Sequence, residues 1–277
     1  MRSCISWIGG KHYIADWIIS HFDYSVDCYV ELFGGAGHIL FAKSPHITEI
    51  FNDLDGNLIN FYKVLKTGSK RLIEELDQLP YSRQLFNEFK QEIEQGIQDD
   101  FERAVKWFYV IRNSFSGMWG AGWAYEFARK SSSASSYHSA IDLFPILHKR
   151  LKKVQIENRD YREIIKSIKE SNQSQILLYA DPPYVNTDYY KTGGKWTLEQ
   201  HKELANLLNS LDCKIVLSYY TFKGIDEWYP SDKWTTYTKE VPKHSAKIKG
   251  KGAGVKPVAT ELLLTNFVNQ HNLFDRR

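Results

Sequence analysis

Four consecutive residues, Asp181-Pro182-Pro183-Tyr184, concentrate more chemistry than any other stretch of this 277-residue chain. The apolar run before them (Ile176, Leu177, Leu178, Tyr179, Ala180) reads as a strand buried on both faces of a parallel sheet. Two prolines fix φ and remove two backbone donors, so the carbonyls of Asp181 and Pro182 point outward without local turn partners. One carboxylate, one bare carbonyl and one aromatic ring then lie within four residues at the carboxyl edge of a sheet. Such an array suits an amino group on a flat ring: the acceptors take its two hydrogens and the tyrosine stacks on its face. The same tetrapeptide also reads as a Pro-Pro stop whose Asp caps a turn. The surrounding elements have to separate the two.

Near the N-terminus, Ser6-Trp7-Ile8-Gly9-Gly10-Lys11 precedes a helical pattern through Tyr13, Ile14, Trp17, Ile18 and Phe22. A Gly-Gly turn entering a helix beside a lysine brings amides and an ammonium toward a carboxylate, or it is a plain turn. A short buried strand, Cys28 to Leu32, follows. It runs into Phe33-Gly34-Gly35-Ala36-Gly37 and a helix through Ile39, Leu40 and Phe41. This βα unit lets a ligand lie against backbone at a sheet edge. The spacing is not G-x-G-x-x-G, so it offers no regular pyrophosphate cradle, and a nucleoside-like cofactor fits better than a nicotinamide or flavin dinucleotide. A second strand, Thr48 to Phe51, ends in Asn52-Asp53, where an acid either holds ribose hydroxyls or caps the helix beginning near Gly56.

Residues from about 70 to 150 interrupt this alternation. They contain an acidic amphipathic stretch, a helical pattern from Phe101 to Val110, and the run Arg112 to Trp123, whose glycines, aromatics, Arg and Asn suit an irregular recognition surface. The serine-rich piece Ser131 to Ser136 reads as a mobile loop. The alternation resumes with a strand Val154 to Glu157, a third acid at Asp160, a helix Tyr161 to Ile168, and the central strand. Thr197-Leu198-Glu199-Gln200 is a capping box that opens a helix from His201 to Leu211. Strands at Lys214 to Ser218, Trp234 to Thr238 and Glu261 to Phe267 close the chain, the last two as an antiparallel hairpin on a mostly parallel sheet.

Composition narrows the setting. Apolar residues make up 43% and charged residues 25%, as in an ordinary globular protein with ample core. There is no run of 18 apolar residues and no signal-peptide core, so the expected location is cytoplasmic, away from membranes. Three widely spaced cysteines, Cys4, Cys28 and Cys213, argue against a disulfide framework or a zinc cluster and read as small buried thiols. Net charge is +3, unevenly spread. Lys70 to Glu102 holds four basic and nine acidic residues, whereas Lys239 to Lys256 holds six lysines and one glutamate, so a polyanion is expected to approach the latter.

In their order, W-x-G-G-K at Trp7 to Lys11, F-x-G-x-G at Phe33 to Gly37, Asn52-Asp53, Asp160 and D-P-P-Y at Asp181 to Tyr184 resemble the alpha-class (D12 class), Dam-like DNA adenine-N6 methyltransferases. The likeness extends to Thr197-Leu198-Glu199-Gln200, Val216-Leu217-Ser218 and the lysine-rich loop before Glu261-Leu262-Leu263. It covers nearly the whole chain and is weakest from about 70 to 150. The resemblance implies a Rossmann-like α/β methyltransferase fold with a mostly parallel seven-stranded sheet. It divides the chain into a catalytic domain at 1–68 and 150–277 and a mainly helical target-recognition insertion at 69–149. It also implies S-adenosylmethionine as methyl donor with no metal, S-adenosylhomocysteine as product, and double-stranded DNA as partner. A bacterial or phage origin and a cognate restriction endonuclease as candidate partner come with it.

Carried over by residue, Trp7 and Lys11 would contact the cofactor, the lysine on its carboxylate. Phe33, Gly35 and Gly37 would line its methionine moiety, Asp53 would hold its ribose, and Asp160 would meet its adenine amino group. Asp181 and the Pro182 carbonyl would bind the target N6 beside the cofactor, with Pro183 stiffening the turn and Tyr184 stacking on a flipped-out adenine. Toward DNA the expected donors are Arg112, Asn113, Lys243, Lys247, Lys249 and Lys251. The chain departs from the family where Ser6 replaces a usual basic residue and where Glu31-Leu32-Phe33 replaces E-P-F. Rival readings are an RNA adenine or protein amide methyltransferase, a non-catalytic DNA-binding module, and an oxidoreductase, which the glycine spacing disfavours.

Overall fold

A computed structural model describes residues 1–7, 9–124, 132–185, 196–242 and 258–268. Its organising element is a seven-stranded sheet. The strands are β1 (Cys28–Glu31), β2 (Thr48–Asn52), β3 (Val154–Glu157), β4 (Ile176–Ala180), β5 (Lys214–Tyr220), β6 (Thr235–Pro242) and β7 (Val258–Thr265). They lie in the order β3-β2-β1-β4-β5-β7-β6. The first five are mutually parallel, whereas β7 runs antiparallel to both β5 and β6. All five residues of β4 are buried, because the strand is flanked by β1 and β5 and covered on both faces. The mostly parallel sheet with its antiparallel C-terminal pair is the expected α/β architecture.

One face carries α9 (Tyr161–Lys169), α10 (Leu198–Asn209) and α11 (Ile225–Trp228), once the helices are numbered along the chain. On α9 the buried residues Tyr161, Ile164, Ile165 and Ile168 fall at the i, i+3, i+4, i+7 spacing of one helical stripe. The opposite face packs α1 (Ala15–Ile19), α2 (His38–Ala42) and α3 (Gly56–Thr67). Residues 69–151 add α4 (Ser69–Asp77), α5 (Arg83–Gln95), α6 (Asp100–Asn113), α7 (Ser133–Ile141) and α8 (Phe144–Leu151). These helices share the core of that face: Phe61 of α3 stacks on Phe108 of α6 at 5.1 Å and meets Phe144 of α8 edge-on at 5.7 Å.

Local signals fix the helix ends. Asp55 caps α3, accepting from the amides of Asn57 and Leu58, so Asp53 is not its cap. The capping box at Thr197 and Gln200 is present with both hydrogen bonds.

Two expectations are corrected. The serine-rich piece, so far as residues 132–136 are described, is the cap and first turn of α7, not a loop. Ser132 caps the helix, and Tyr137, Ala140 and Ile141 are buried. The N-terminal helical pattern yields only the short α1, with turns on either side. Cys4 and Cys213 are buried free thiols, and Cys28 is half-buried.

Candidate active site

The carboxyl ends of β1, β2, β3 and β4 open on one cleft, closed on its far side by the N-terminal segment. After β1 the chain turns through Phe33 to Gly37. Gly34 donates to the Asn52 carbonyl at 2.8 Å, and a Cβ there would stand 2.2 Å from the Phe51 ring. Gly35, at φ +48°, turns its N–H onto Asp53 Oδ2 at 2.8 Å. Asn52 ties three strand ends together. Its amide donates to the carbonyls of Leu32 and Arg159, each at 3.1 Å, and its oxygen accepts from the Arg159 N–H at 3.0 Å. Asp53 also accepts from Asp55 N–H at 2.8 Å, and burial pushes its carboxyl up to about 6.

Trp7 lies over this turn, its indole 3.1 Å from where a Gly35 Cβ would be. Phe33 joins an aromatic cluster with Tyr161 at 5.5 Å and Trp196 at 5.6 Å. Asp160 caps α9 through the Arg162 N–H at 2.9 Å and pairs with the Arg162 guanidinium at 3.0 Å, which also reaches Glu203 at 2.6 Å. The structure brings Trp7, Lys11, Phe33, Gly35, Asp53, Asp160, Asp181 and Pro183 to the one cleft. Gly37, at φ +67°, instead forms the N-cap of α2.

Lys11, assigned by resemblance to a cofactor carboxylate, lies on a carboxylate of the protein: its Nζ is 2.8 Å from Asp181 Oδ2 and 3.0 Å from the Gly9 carbonyl. Asp181 Oδ1 is buried and has no hydrogen-bond partner among the described residues. Tyr184 is buried, stacked on Tyr219 at 5.5 Å and edge-on to Tyr220 at 4.5 Å. Its hydroxyl donates to Glu261. The Lys11 ammonium sits 4.7 Å from the Tyr184 ring centre and 3.7 Å from Glu261 Oε1. Burial raises the Asp181 and Glu261 carboxyls, while Lys11 pulls both back down.

On the insertion, Arg112 turns its terminal guanidinium nitrogens into the chain, and its buried Nε has no partner among the described residues. Arg112 bonds Ser6 Oγ and both oxygens of Ser136, the latter at 3.0 and 2.8 Å. Asn113 is buried, and its amide nitrogen lacks a partner among the described residues. The two residues root a hairpin closed by a Ser114 to Trp123 bridge. Gly117, at φ +65°, presses against the Ser6 backbone, and Met118 and Trp119 line the cleft. Lys243, Lys247, Lys249 and Lys251 lie outside the described residues.

Sequence reading missed Glu261, Trp196, Met118 and Trp119 as site neighbours. Met118 and Trp119 left a trace in the run Arg112 to Trp123, and Glu261 as a lone acid beside Leu262, Leu263 and Leu264 in a strand. Among the described residues no group of three His, Cys, Asp or Glu side chains is arranged to hold a metal ion, and no helix is long and apolar enough to cross a membrane.

Asp181 and the aromatic walls of this cleft lie at the carboxyl edge of a mostly parallel α/β sheet, where sheets of that class bind their ligands. The sequence profile of the D12 class N6 adenine-specific DNA methyltransferases matches residues 7–243, and the chain belongs to that family. It is 23% identical to the type II methyltransferase M1.LlaDCHI of Lactococcus lactis subsp. cremoris over 97% of this chain and 96% of that protein. It is also 23% identical to a DNA adenine methylase of Haemophilus influenzae over 84% of each chain. The DNA N-6-adenine-methyltransferase of Escherichia phage P1 is 22% identical over 95% of this chain but only 35% of its own length.

Proposed function

We propose that this DNA adenine methyltransferase takes its methyl group from S-adenosylmethionine and acts on adenine flipped out of double-stranded DNA. The observation that carries the reading is the buried, unpartnered Asp181 Oδ1, next to the Pro182 carbonyl and on the rim of the cleft. The residues present fit the cofactor. Gly35 exposes bare backbone beneath Trp7, Asp53 offers an acceptor for ribose hydroxyls, and Phe33, Tyr161 and Trp196 form apolar walls for a purine. Asp160, on the cleft wall, would accept from that purine's amino group, and Lys11 is near enough to serve either the cofactor or Asp181. Bound there, S-adenosylmethionine supplies a methyl group on a sulfonium, an electrophile that needs only in-line approach.

The chain's own residues make the nitrogen reactive. Adenine N6 is a poor nucleophile because its lone pair is delocalised into the ring. Asp181 Oδ1 and the Pro182 carbonyl accept its two hydrogens and draw it toward tetrahedral geometry, while Pro183 stiffens the turn and Tyr184 supports the base. Asp181 is ionised for this role through the Lys11 ammonium at 2.8 Å, and the same carboxylate takes up the proton that N6 loses. The chain divides into a cofactor-binding part, 1–68 and 150–277, and a recognition part, 69–149. Arg112 and Asn113 serve DNA recognition by rooting the hairpin, and Lys243, Lys247, Lys249 and Lys251 neutralise phosphates. A cognate restriction endonuclease would cut the same unmodified site.

Asp181→Ala is expected to lower kcat by ~10²- to 10³-fold, the range for loss of one group aimed at the reacting centre. Asp181→Asn, which still offers an acceptor, should lose less. Near-parental methylation by Asp181→Ala in a tritium-transfer assay overturns the site.

A further inference from the structure

Two carboxylates, not one, face the Lys11 ammonium. Glu261 lies at the Tyr220 register of the β5–β7 ladder and opposite Lys239 on β6, and its side chain is 0% exposed in a strand with no other charged residue. A carboxylate so deeply buried is costly unless paired, and breaking a buried pair is costlier still, so an apolar residue would serve packing better. Its partners are two site residues. Oε1 accepts the Tyr184 hydroxyl and stands 3.7 Å from Lys11 Nζ, and Oε2 is buried with no partner among the described residues.

We propose that Glu261 is a positioning residue for methyl transfer, fixing the Tyr184 ring through its hydroxyl and sharing the Lys11 ammonium with Asp181 so that Asp181 keeps an oxygen free for the incoming amino group. This rests on reading Asp181 to Tyr184 as the target-base site. Without the Glu261 charge, Lys11 is drawn wholly onto Asp181, where its hydrogens compete with those of the substrate. Without the hydroxyl contact, the Tyr184 ring keeps its Tyr219 stack but its hydroxyl loses the buried Glu261 acceptor.

The groups facing Glu261 come from several elements. They are Lys11 and Tyr13 from the N-terminal segment, Tyr179 on β4, Asp181 and Tyr184 after it, Tyr220 on β5, and Lys239 at the opposite register on β6. Protonating Glu261 removes the same charge as Glu261→Gln, so it steepens the acid limb of the wild-type kcat profile, and in the Gln variant only the part due to Asp181 remains.

The test compares wild type, Glu261→Gln and Tyr184→Phe for methyl transfer to DNA across pH, with S-adenosylhomocysteine affinity and melting temperature measured on each. Glu261→Gln is expected to lower kcat by about 10- to 100-fold at neutral pH, the range for losing a hydrogen bond to a charged group. It should flatten the acid limb and leave S-adenosylhomocysteine binding within about 2-fold. Tyr184→Phe, which keeps the ring, should chiefly raise KM for DNA. Three results overturn the role: an unchanged kcat in Glu261→Gln, an acid limb in that variant with the steepness and midpoint of the wild type, or parallel loss of melting temperature and cofactor affinity, which marks a merely structural residue. Wild-type protein that methylates no DNA overturns the site reading and this role together, whereas wild-type activity with an unaffected Glu261→Gln overturns this role alone.

Discussion

Asn52→Ala tests how the carboxyl edge of the sheet is held. Asn52 is buried and makes three hydrogen bonds of 3.0 to 3.1 Å, two to the Leu32 and Arg159 carbonyls and one from the Arg159 N–H. Each contributes ~1 kcal/mol net, and the main-chain groups left unpaired in a dry interior add to the cost, so the loss is ~3 to 4 kcal/mol. With roughly 2 to 4 °C per kcal/mol for domains near this size, the melting temperature should fall by about 6 to 16 °C. Because these bonds join the end of β1 to the segment after β3, the Gly35 turn and the Asp160 cap should loosen together, and S-adenosylhomocysteine affinity should fall with stability. Calorimetry and titration of the same samples measure both. A drop below about 2 °C would refute the assignment of Asn52 as the brace, and a full drop with unchanged affinity would refute its link to the cleft.

Asp53 gives a pH prediction. With its carboxyl raised to about 6 by burial, roughly a tenth is ionised at pH 5 against most of it at pH 7. If ribose hydroxyls donate to the ionised form, S-adenosylhomocysteine should bind ~10-fold more weakly at pH 5, and Asp53→Asn should abolish that difference. The same shift makes the folded chain lose stability as pH rises from about 4 through 6, because there the folded state keeps a proton that the unfolded chain has released. Denaturant titrations of wild type and Asp53→Asn at pH 4 and 7 check the sign. Gly117→Ala would place a Cβ 2.2 Å from the Ser6 carbonyl at φ +65°, costing ~1 to 3 kcal/mol. It should lift the hairpin from the N-terminal segment and weaken S-adenosylhomocysteine binding through Met118 and Trp119, and unchanged affinity would detach the hairpin from the cleft.

What the sequence disclosed was written locally. The strands at Cys28, Thr48, Val154 and Ile176 are short runs that give way to Gly, Asn or Asp within a few residues. The cap at Thr197 is a four-residue signal, and the hairpin of β6 and β7 follows from the lack of a helix between two strands. Features that depend on partners distant in sequence stayed hidden. Ser133–Ile141 has loop composition, and it is helical because Tyr137, Ala140 and Ile141 find a core, with Tyr137 donating to the Leu76 carbonyl at 3.2 Å. Arg112 looks like a free donor until the fold brings Ser6, 106 residues away, against it. Glu261 reads as an ordinary strand residue because its partner Tyr184 is 77 positions away. The cap reading of Asp53 fell because Asp55, two residues on, takes the cap.

The most direct test of the account is to incubate the protein with tritiated S-adenosylmethionine and unmethylated double-stranded DNA, then resolve the nucleosides and map the modified sites. Label in N6-methyladenine within one short sequence is the predicted result. Label in another base, or none in DNA from protein that binds S-adenosylhomocysteine, would contradict it.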